Sequence, residues 1–292
     1  MTAREFGAFT GQNLTGKLQF SWMERIDSRD VQVVRFEDVT PRYRRVVVGG
    51  ESLADFPWAH FSAPDHVKVF FPHPESGELV SSRQGEDEWY VTGGSTDPIH
   101  RDYTVRAFDA EKQELTLDFV VHDHGVAGRW VADVKVGDPL VLNGPSANWL
   151  LPENYPHFLA LGDEPALPAI ARIIEEAPAG SRVTALIEVQ DASDEQPLSG
   201  KADLDLRWIH RSTAPVGEGD LSPLETALRA LDLPEDRSTV FVFAAGETNR
   251  IKPIRRYLRR DLGLPKEQLI VDGYWKQGVV NFDHHDNELD ED

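Results

Sequence analysis

Near residue 150 the chain changes its pattern, and that change constrains the fold more than any other feature. From Leu18 to about Asn148 the sequence is a succession of short runs: QVVRFEDVTP, RRVVVGG, HVKVFFP, WYVT, YTVRAFD, LTLDFVVH and DPLVLNGP. Each carries β-branched or aromatic residues and ends at turn formers, the pattern of strands. No long helical period interrupts them, so the spacing predicts an antiparallel β-barrel. ESGEL and FDAEKQEL read as hairpin turns within it.

After NWLLPENYP the order becomes strand, helix, strand. HFLALGDE is an apolar strand, and PALPAIARIIEEAP is an amphipathic helix with Leu167, Ile170, Ile173 and Ile174 as its apolar stripe. SRVTALIEV is apolar throughout its middle, as a parallel strand buried on both faces is. LDLRWIH follows, then PLETALRAL, opened by the capping box Ser222-Pro223-Leu224-Glu225 with proline at the first helical position. STVFVFAAGE, the basic helix NRIKPIRRYLRRDLG stopped by Gly263 and Pro265, and LIVDGYW complete the set. Such alternation specifies a doubly wound parallel sheet. The expected organisation is a barrel domain over 18–148, an α/β domain over 155–280 and an acidic tail over 281–292. Residues 1–17 are polar and read as loose, and no internal repeat is visible.

Composition narrows the chemistry. Hydrophobic residues make up 40% of the 292, enough for a packed core, yet no apolar run approaches the roughly 20 residues that span a bilayer. The N-terminus MTAREFGAFTGQNL lacks a basic stretch followed by an apolar one, so no signal peptide and a cytoplasmic location are expected. Cysteine is absent, which excludes disulfides, thiol redox couples and Cys-ligated clusters. Electrons, if moved, need an organic cofactor. A net charge of −20 disfavours nucleic acid and anionic membranes as partners. The tail FDHHDNELDED reads as a solvated terminus rather than a metal site at His284, His285 and Asp286, because adjacent histidines diverge on most backbones. No metal is expected.

Four segments carry chemistry. In His100-Arg101-Asp102-Tyr103-Thr104-Val105-Arg106, after the turn GGSTDP, strand alternation puts Arg101, Tyr103 and Val105 on one face. An arginine pairs with phosphate and a tyrosine lies on an aromatic ring, although a barrel strand with a rim arginine gives the same pattern. DFVVHDHGVAGRW, Asp118 to Trp130, takes a strand through glycines 125 and 128 into a short helix, whose free amides suit a pyrophosphate. LGDEPALPA (161–169) and FAAGET (243–248) are strand-to-helix turns at the carboxyl ends of parallel strands, where nucleotides bind. Neither is GxGxxG.

In this order the four segments resemble the siderophore-interacting protein family, ferric-siderophore reductases of ferredoxin–NADP reductase architecture. The resemblance covers about residues 18–280. It is carried by Arg101-x-Tyr103-Thr104, GDEPALPAIARII, AAGE with its basic helix, and Gly273-Tyr274-Trp275-Lys276. It implies FAD in the barrel: Arg101 on its phosphate, Tyr103 on the isoalloxazine, Thr104 near N5. Asp118, Val120 and His122 would lie along the cofactor, Gly125, Val126 and Ala127 would give amides to the pyrophosphate, and Trp130 would pack near the adenine. Asp163, Glu164, Gly246 and Glu247 would line NADH or NADPH. Lys68 and Lys276 match basic positions that face the iron chelate. Three positions depart from the family: Val126 for proline, Gly128 for a hydroxyl residue, and Pro165 for threonine.

The implied reaction passes a hydride from NAD(P)H to FAD and single electrons to Fe(III) in a siderophore, which holds Fe(II) less tightly. A flavin or ferredoxin-type reductase with another acceptor, and a siderophore binder without turnover, remain open at this point. Glu188 at the end of a strand argues for NADH and Arg211 for NADPH, so the nucleotide stays open too.

Overall fold

The computed structural model describes residues 5–6, 12–86, 88–93, 97–213 and 221–282. The centre of the GGSTDP turn and the His284-His285-Asp286 group of the tail lie outside these residues. The chain divides into two compact units, one built mainly from Gln19–Leu150, the other from Leu151 onward together with Gln12–Leu18.

The first unit runs β1 (Glu5–Phe6), β2 (Gln19–Trp22), β3 (Ser28–Thr40), β4 (Tyr43–Gly49), β5 (His66–Phe70), β6 (Ser81–Gln84), β7 (Trp89–Thr92), β8 (His100–Thr104), β9 (Ala107–Asp109), β10 (Glu114–Val120), the helix α1 (Gly125–Ala132), β11 (Pro139–Asn143) and β12 (Ala147–Leu150). Seven strands form one sheet in the order β8-β5-β11-β3-β4-β10-β9, antiparallel at every step. Its two end strands, β8 and β9, are consecutive in the chain and separated only by residues 105–106. At that link the Arg106 amide donates to the Thr116 carbonyl of β10 (3.0 Å) and the Val105 amide to the Asp65 carbonyl (2.8 Å). The sheet thereby closes on itself as a barrel, which removes the free edges an open sheet leaves.

Period-2 alternation fills the barrel. Val31 and Val33, Val46 and Val48, Val67 and Val69, Leu115, Leu117 and Phe119, Leu140 and Leu142 form one buried cluster, joined by Ala127 and Val131 of α1. The expected hairpin turns are present. Asp109 takes the Glu111 and Lys112 amides between β9 and β10, and Pro72 and Leu79 pair across ESGEL.

The second unit runs β13 (His157–Gly162), α2 (Leu167–Glu176), β14 (Arg182–Val189), β15 (Asp203–His210), α3 (Pro223–Arg229), β16 (Val240–Glu247), α4 (Thr248–Arg256) and β17 (Leu269–Trp275). Its five strands are parallel, in the order β15-β14-β13-β16-β17. Leu159 and Leu161 of β13 share a cluster with α3 and α4. A side chain at Gly162, on the alternate face, would meet Ile170 of α2. Helices therefore cover both faces, the doubly wound arrangement expected from the sequence. Among the described residues no helix is long and apolar enough to cross a membrane.

Two local expectations need correction. Residues 12–18 are not loose. Asn13 is 2% exposed, its amide group donates to the Lys17 carbonyl (2.8 Å), and its own carbonyl takes the Glu153 amide (2.7 Å). The capping box is half made: Ser222 accepts the Glu225 amide (3.1 Å), but the Glu225 carboxylate takes Arg229 one turn on (2.8 Å). The ion pair that Arg229 makes with the buried Glu225 side chain competes for the carboxylate that would reach back.

The inside–outside assignment of β10 gives a direct test. Leu117 is fully buried and Thr116 points to the other face. Leu117→Ala is expected to cost about 2–5 kcal/mol in urea unfolding, with Thr116→Ala well below it. Equal losses would mean that the register is misassigned.

Candidate functional site

On the barrel, β8 lies against β5 with Val69 opposite Arg101 and Val67 opposite Tyr103. Val67 and Val69 face the core, so Arg101 and Tyr103 share that face, while Asp102 and Thr104 take the other. Tyr103 is partly buried. Its ring centre is 4.2 Å from that of Phe119 and 6.2 Å from that of Phe71. Burial pushes its phenol well above the usual tyrosine range, so the hydroxyl stays protonated. Trp130 of α1 joins the same cluster, 5.3 Å from Phe71 and 5.7 Å from Phe119. Two segments far apart in sequence, Arg101-x-Tyr103 and the GVAGRW helix, thus meet through aromatic packing. The Arg101 guanidinium donates to the His100 carbonyl (2.5 Å), and burial lowers its pKa.

Helix α1 begins without a side-chain cap: His124 precedes it in extended conformation, and Gly125 has φ +66°. Nothing lies within 4 Å of where a Gly125 side chain would start. Gly128 has the opposite constraint. A Cβ there would sit 2.5 Å from the His122 ring, so glycine lets His122 lie against the first turn. His122 Nδ1 accepts the His124 amide (3.2 Å). Desolvation, then His124, pulls its pKa below the ordinary histidine value, favouring the neutral ring. Val120 ends β10.

Two assigned residues turn out to hold protein partners. Asp118 is buried and takes two parallel bonds from Arg45 of β4, both 2.8 Å. Lys68 lies directly across from Asp102 and donates to both its oxygens (2.9 and 3.0 Å).

In the α/β unit, the carboxyl ends of β13, β14 and β16 gather four acidic residues. Asp163 follows β13 and is 7% exposed. Its Oδ2 accepts the Glu247 amide (3.0 Å) and the Trp275 indole N–H (2.8 Å), while Oδ1 has no partner. Gly246, φ +155°, leaves the room: a Cβ there would lie 2.9 Å from the Asp163 carboxylate. Glu247 caps α4 through the Arg250 amide and also accepts from Asn249 and the Gln277 amide, 3.1 Å each. Lys276 therefore sits just past the end of β17, in a segment tied to Glu247, and not inside a strand. Glu164 binds Arg211 through both oxygens, one bond at 2.8 Å. Glu188, 1% exposed, accepts from Arg250 (2.6 Å) and Arg211 (3.5 Å). Among the described residues no group of His, Cys, Asp or Glu could hold a metal ion.

Trp275 and Arg250 are central here, yet the sequence reading gave neither a role. Trp275 is 39% exposed, and nothing local in the sequence tells that its indole N–H reaches back to Asp163. Arg250 lies in a basic helix of many arginines, and nothing in the sequence singles it out.

Desolvation raises the Asp163 pKa to about 7, and Glu164 and Glu188 add to the rise, against the two hydrogen bonds that oppose it. In the unfolded chain the group ionises near 3.8. The folded state therefore binds the extra proton between those values. The stability this contributes is full below about 4 and is lost as pH rises through about 7. Asp163→Asn keeps the neutral form at every pH. Its melting temperature is expected to exceed the wild-type value at pH 8 and to fall less between pH 5 and 8. An unchanged slope would exclude Asp163 as the titrating group.

Comparison with known proteins agrees with this geometry. Residues 32–149 match the model of the siderophore-interacting FAD-binding domain, and residues 155–278 that of the siderophore-interacting protein. The ferric vibriobactin reductase ViuB of Vibrio cholerae is 31% identical over 269 residues, covering 90% of this chain and 95% of the relative. The NADPH-dependent ferric-chelate reductase of Escherichia coli is 28% identical, covering 85% and 92%. A siderophore utilization protein from T. fusca superposes with a TM-score of 0.82 at 42% identity, covering 92% and 100% of the two chains. Both units are accounted for, and the chain belongs to the siderophore-interacting protein family.

Proposed function

We propose that this protein is an FAD-dependent reductase of ferric siderophores, drawing hydride from a nicotinamide nucleotide in the cytoplasm and releasing iron as Fe(II). The observation that carries it is the convergence on one wall of the barrel. A partly buried tyrosine, two residues from Arg101 on the same strand face, meets the helix whose amino end is uncapped through the Phe71–Phe119–Trp130 cluster. These fit a flavin dinucleotide. The open space at Gly125 and the uncapped amides suit a pyrophosphate. Bound there, FAD supplies the conversion of a two-electron hydride into single-electron steps.

The residues of this chain then have distinct tasks. Arg101 holds phosphate charge, Tyr103 lies on the flavin ring, and Thr104 orients near its N5 edge. Gly125, Val126 and Ala127 offer amides, with Trp130 closing the aromatic wall, Val120 and His122 alongside, and Asp118 holding Arg45. In the other unit Asp163, Glu164, Gly246 and Glu247 shape the turns that receive the nucleotide. Lys68 and Lys276 attract an anionic chelate to a chain of net charge −20.

The purified protein is expected to be yellow and to bleach on addition of a reduced nicotinamide nucleotide, then to recover its colour with a ferric siderophore. Tyr103→Ala should weaken flavin binding by about 1–3 kcal/mol, by analogy with base–aromatic stacking. Unchanged affinity and spectrum would remove the stacking role. In stopped flow, Lys68→Ala and Lys276→Ala should slow reoxidation by an anionic ferric chelate. That loss should shrink at about 0.5 M salt, where screening is nearly complete, with bleaching little changed. Equal slowing of both half-reactions would argue that the lysines support the fold instead.

A further inference from the structure

Building on the reductase reading, we infer that the ribbon of β6 and β7 gives the iron chelate an aromatic platform, with Trp89 stacking on an aryl ring, so that this protein prefers chelates built from catecholate or phenolate rings. β6 and β7 form a two-stranded sheet of their own, Ser81–Gln84 against Trp89–Thr92. Trp89, Tyr90 and Val91 are 48%, 49% and 52% exposed. Consecutive large apolar side chains in water are a fault in a strand unless they serve a function. Alternation puts Trp89 and Val91 on one face and Tyr90 on the other, so neither face of β7 is covered.

A two-stranded ribbon is marginal by itself, and this one is braced by the rest of the barrel unit through β6. The side-chain amide of Asn143, at the end of β11, donates to the Ser82 carbonyl (2.7 Å). The Gln84 side chain accepts the Ile26 amide (2.7 Å), and Arg25 donates to the Gln84 carbonyl (2.9 Å). Arg83 pairs with Asp30 of β3. These braces fall on β6. They leave β7 as the outward strand, held in place by its partner while its aromatic side chains meet solvent.

The position of the ribbon argues for the chelate. Asn143 stands opposite Lys68, and Lys68 opposite Asp102. Side chains facing each other across antiparallel strands have Cβ atoms about 4.5–5.5 Å apart, so the residue that braces the ribbon is the direct neighbour of Lys68. Ser82 lies opposite Val91, and Gln84 opposite Trp89, two residues or about 7 Å further toward the turn. At that end Arg25 brings a cation beside the turn acids Glu86 and Glu88. Lys68 and Arg25 are half-exposed, and each is paired to a carboxylate, Asp102 and Asp27. Ion pairs so open to water are weak and yield readily to a more highly charged anion. An exposed indole with a cation on either side suits a ring whose oxygens carry negative charge, the ring face on Trp89 and the oxygens toward the cations. A hydroxamate or aliphatic carboxylate chelate has no ring to offer the indole.

The test is reoxidation of the reduced full-length protein by three ferric chelates: a tricatecholate, a trihydroxamate, and Fe(III)–EDTA, which is anionic but has no ring. The wild type should half-saturate at the lowest concentration with the tricatecholate. Trp89→Ala should raise that concentration about tenfold, near the low end of what stacking on an aromatic side chain contributes. For Fe(III)–EDTA the same variant should change it by no more than about twofold, the size of an ordinary surface substitution. Trp89→Phe should recover most of the loss, and Lys68→Ala should weaken both anionic chelates. Equal losses with tricatecholate and EDTA in Trp89→Ala, no recovery in Trp89→Phe, or a wild type that prefers the trihydroxamate would overturn the inference and leave the reductase standing. So would a change from dimer to monomer in Trp89→Ala with the tricatecholate response intact, which would give the ribbon to a second copy of the chain. A reduced protein that none of the chelates reoxidises would sink the reductase reading, and this inference with it.

Discussion

The barrel depends on a join two residues long. Because β8 and β9 are the two ends of the strand order and are linked only by Val105 and Arg106, the sheet must close where they meet, and the bonds to Asp65 and Thr116 pin that closure. Closure fixes register, and register fixes which side chains face in. A slip of one residue in β8 would exchange Arg101 and Tyr103 for Asp102 and Thr104. On the other face the same register sets Lys68 opposite Asp102, where it donates to both carboxylate oxygens.

The α/β unit is governed by a different cost, that of removing carboxylates from water. Four acids gather at one end of the sheet, and the protein neutralises them in two ways. Glu164 and Glu188 are matched by Arg211 and Arg250. Asp163 has no such cation among its hydrogen-bond partners; an amide and an indole hold one oxygen, and a proton near neutral pH does the rest. Burial dominates there, because two neutral donors repay less than the desolvation of a charge.

The fold was legible because its local signals are strong. Seven short runs rich in β-branched and aromatic residues, each ended by turn formers, left no room for long helices, and SRVTALIEV has the apolar middle of a strand buried on both faces. The shared face of Arg101 and Tyr103, and the turns at 161–169 and 243–248, were legible because strand parity and βα turns are local properties. What escaped was set by distance in sequence. Asn13 looks like any polar residue near a terminus until Glu153 and Lys17 surround it. Nothing local tells that Lys68 answers Asp102, that Arg45 answers Asp118, or that Trp275 reaches back to Asp163. Ion pairs across strands are chosen by register, and register is a property of the closed barrel.

The contact between Gly246 and Asp163 ties two positions into one unit of inheritance. A side chain at 246 would drive into the Asp163 carboxylate, and its φ of +155° already disfavours any residue with a Cβ. Neither site can drift alone. A larger residue at 246 is tolerable only if 163 becomes small, and then the Glu247 amide and the Trp275 indole lose their acceptor together. Among relatives of this chain, positions 163, 246 and 275 should therefore change in concert or not at all, a linkage written by volume and hydrogen bonding rather than by the reaction itself.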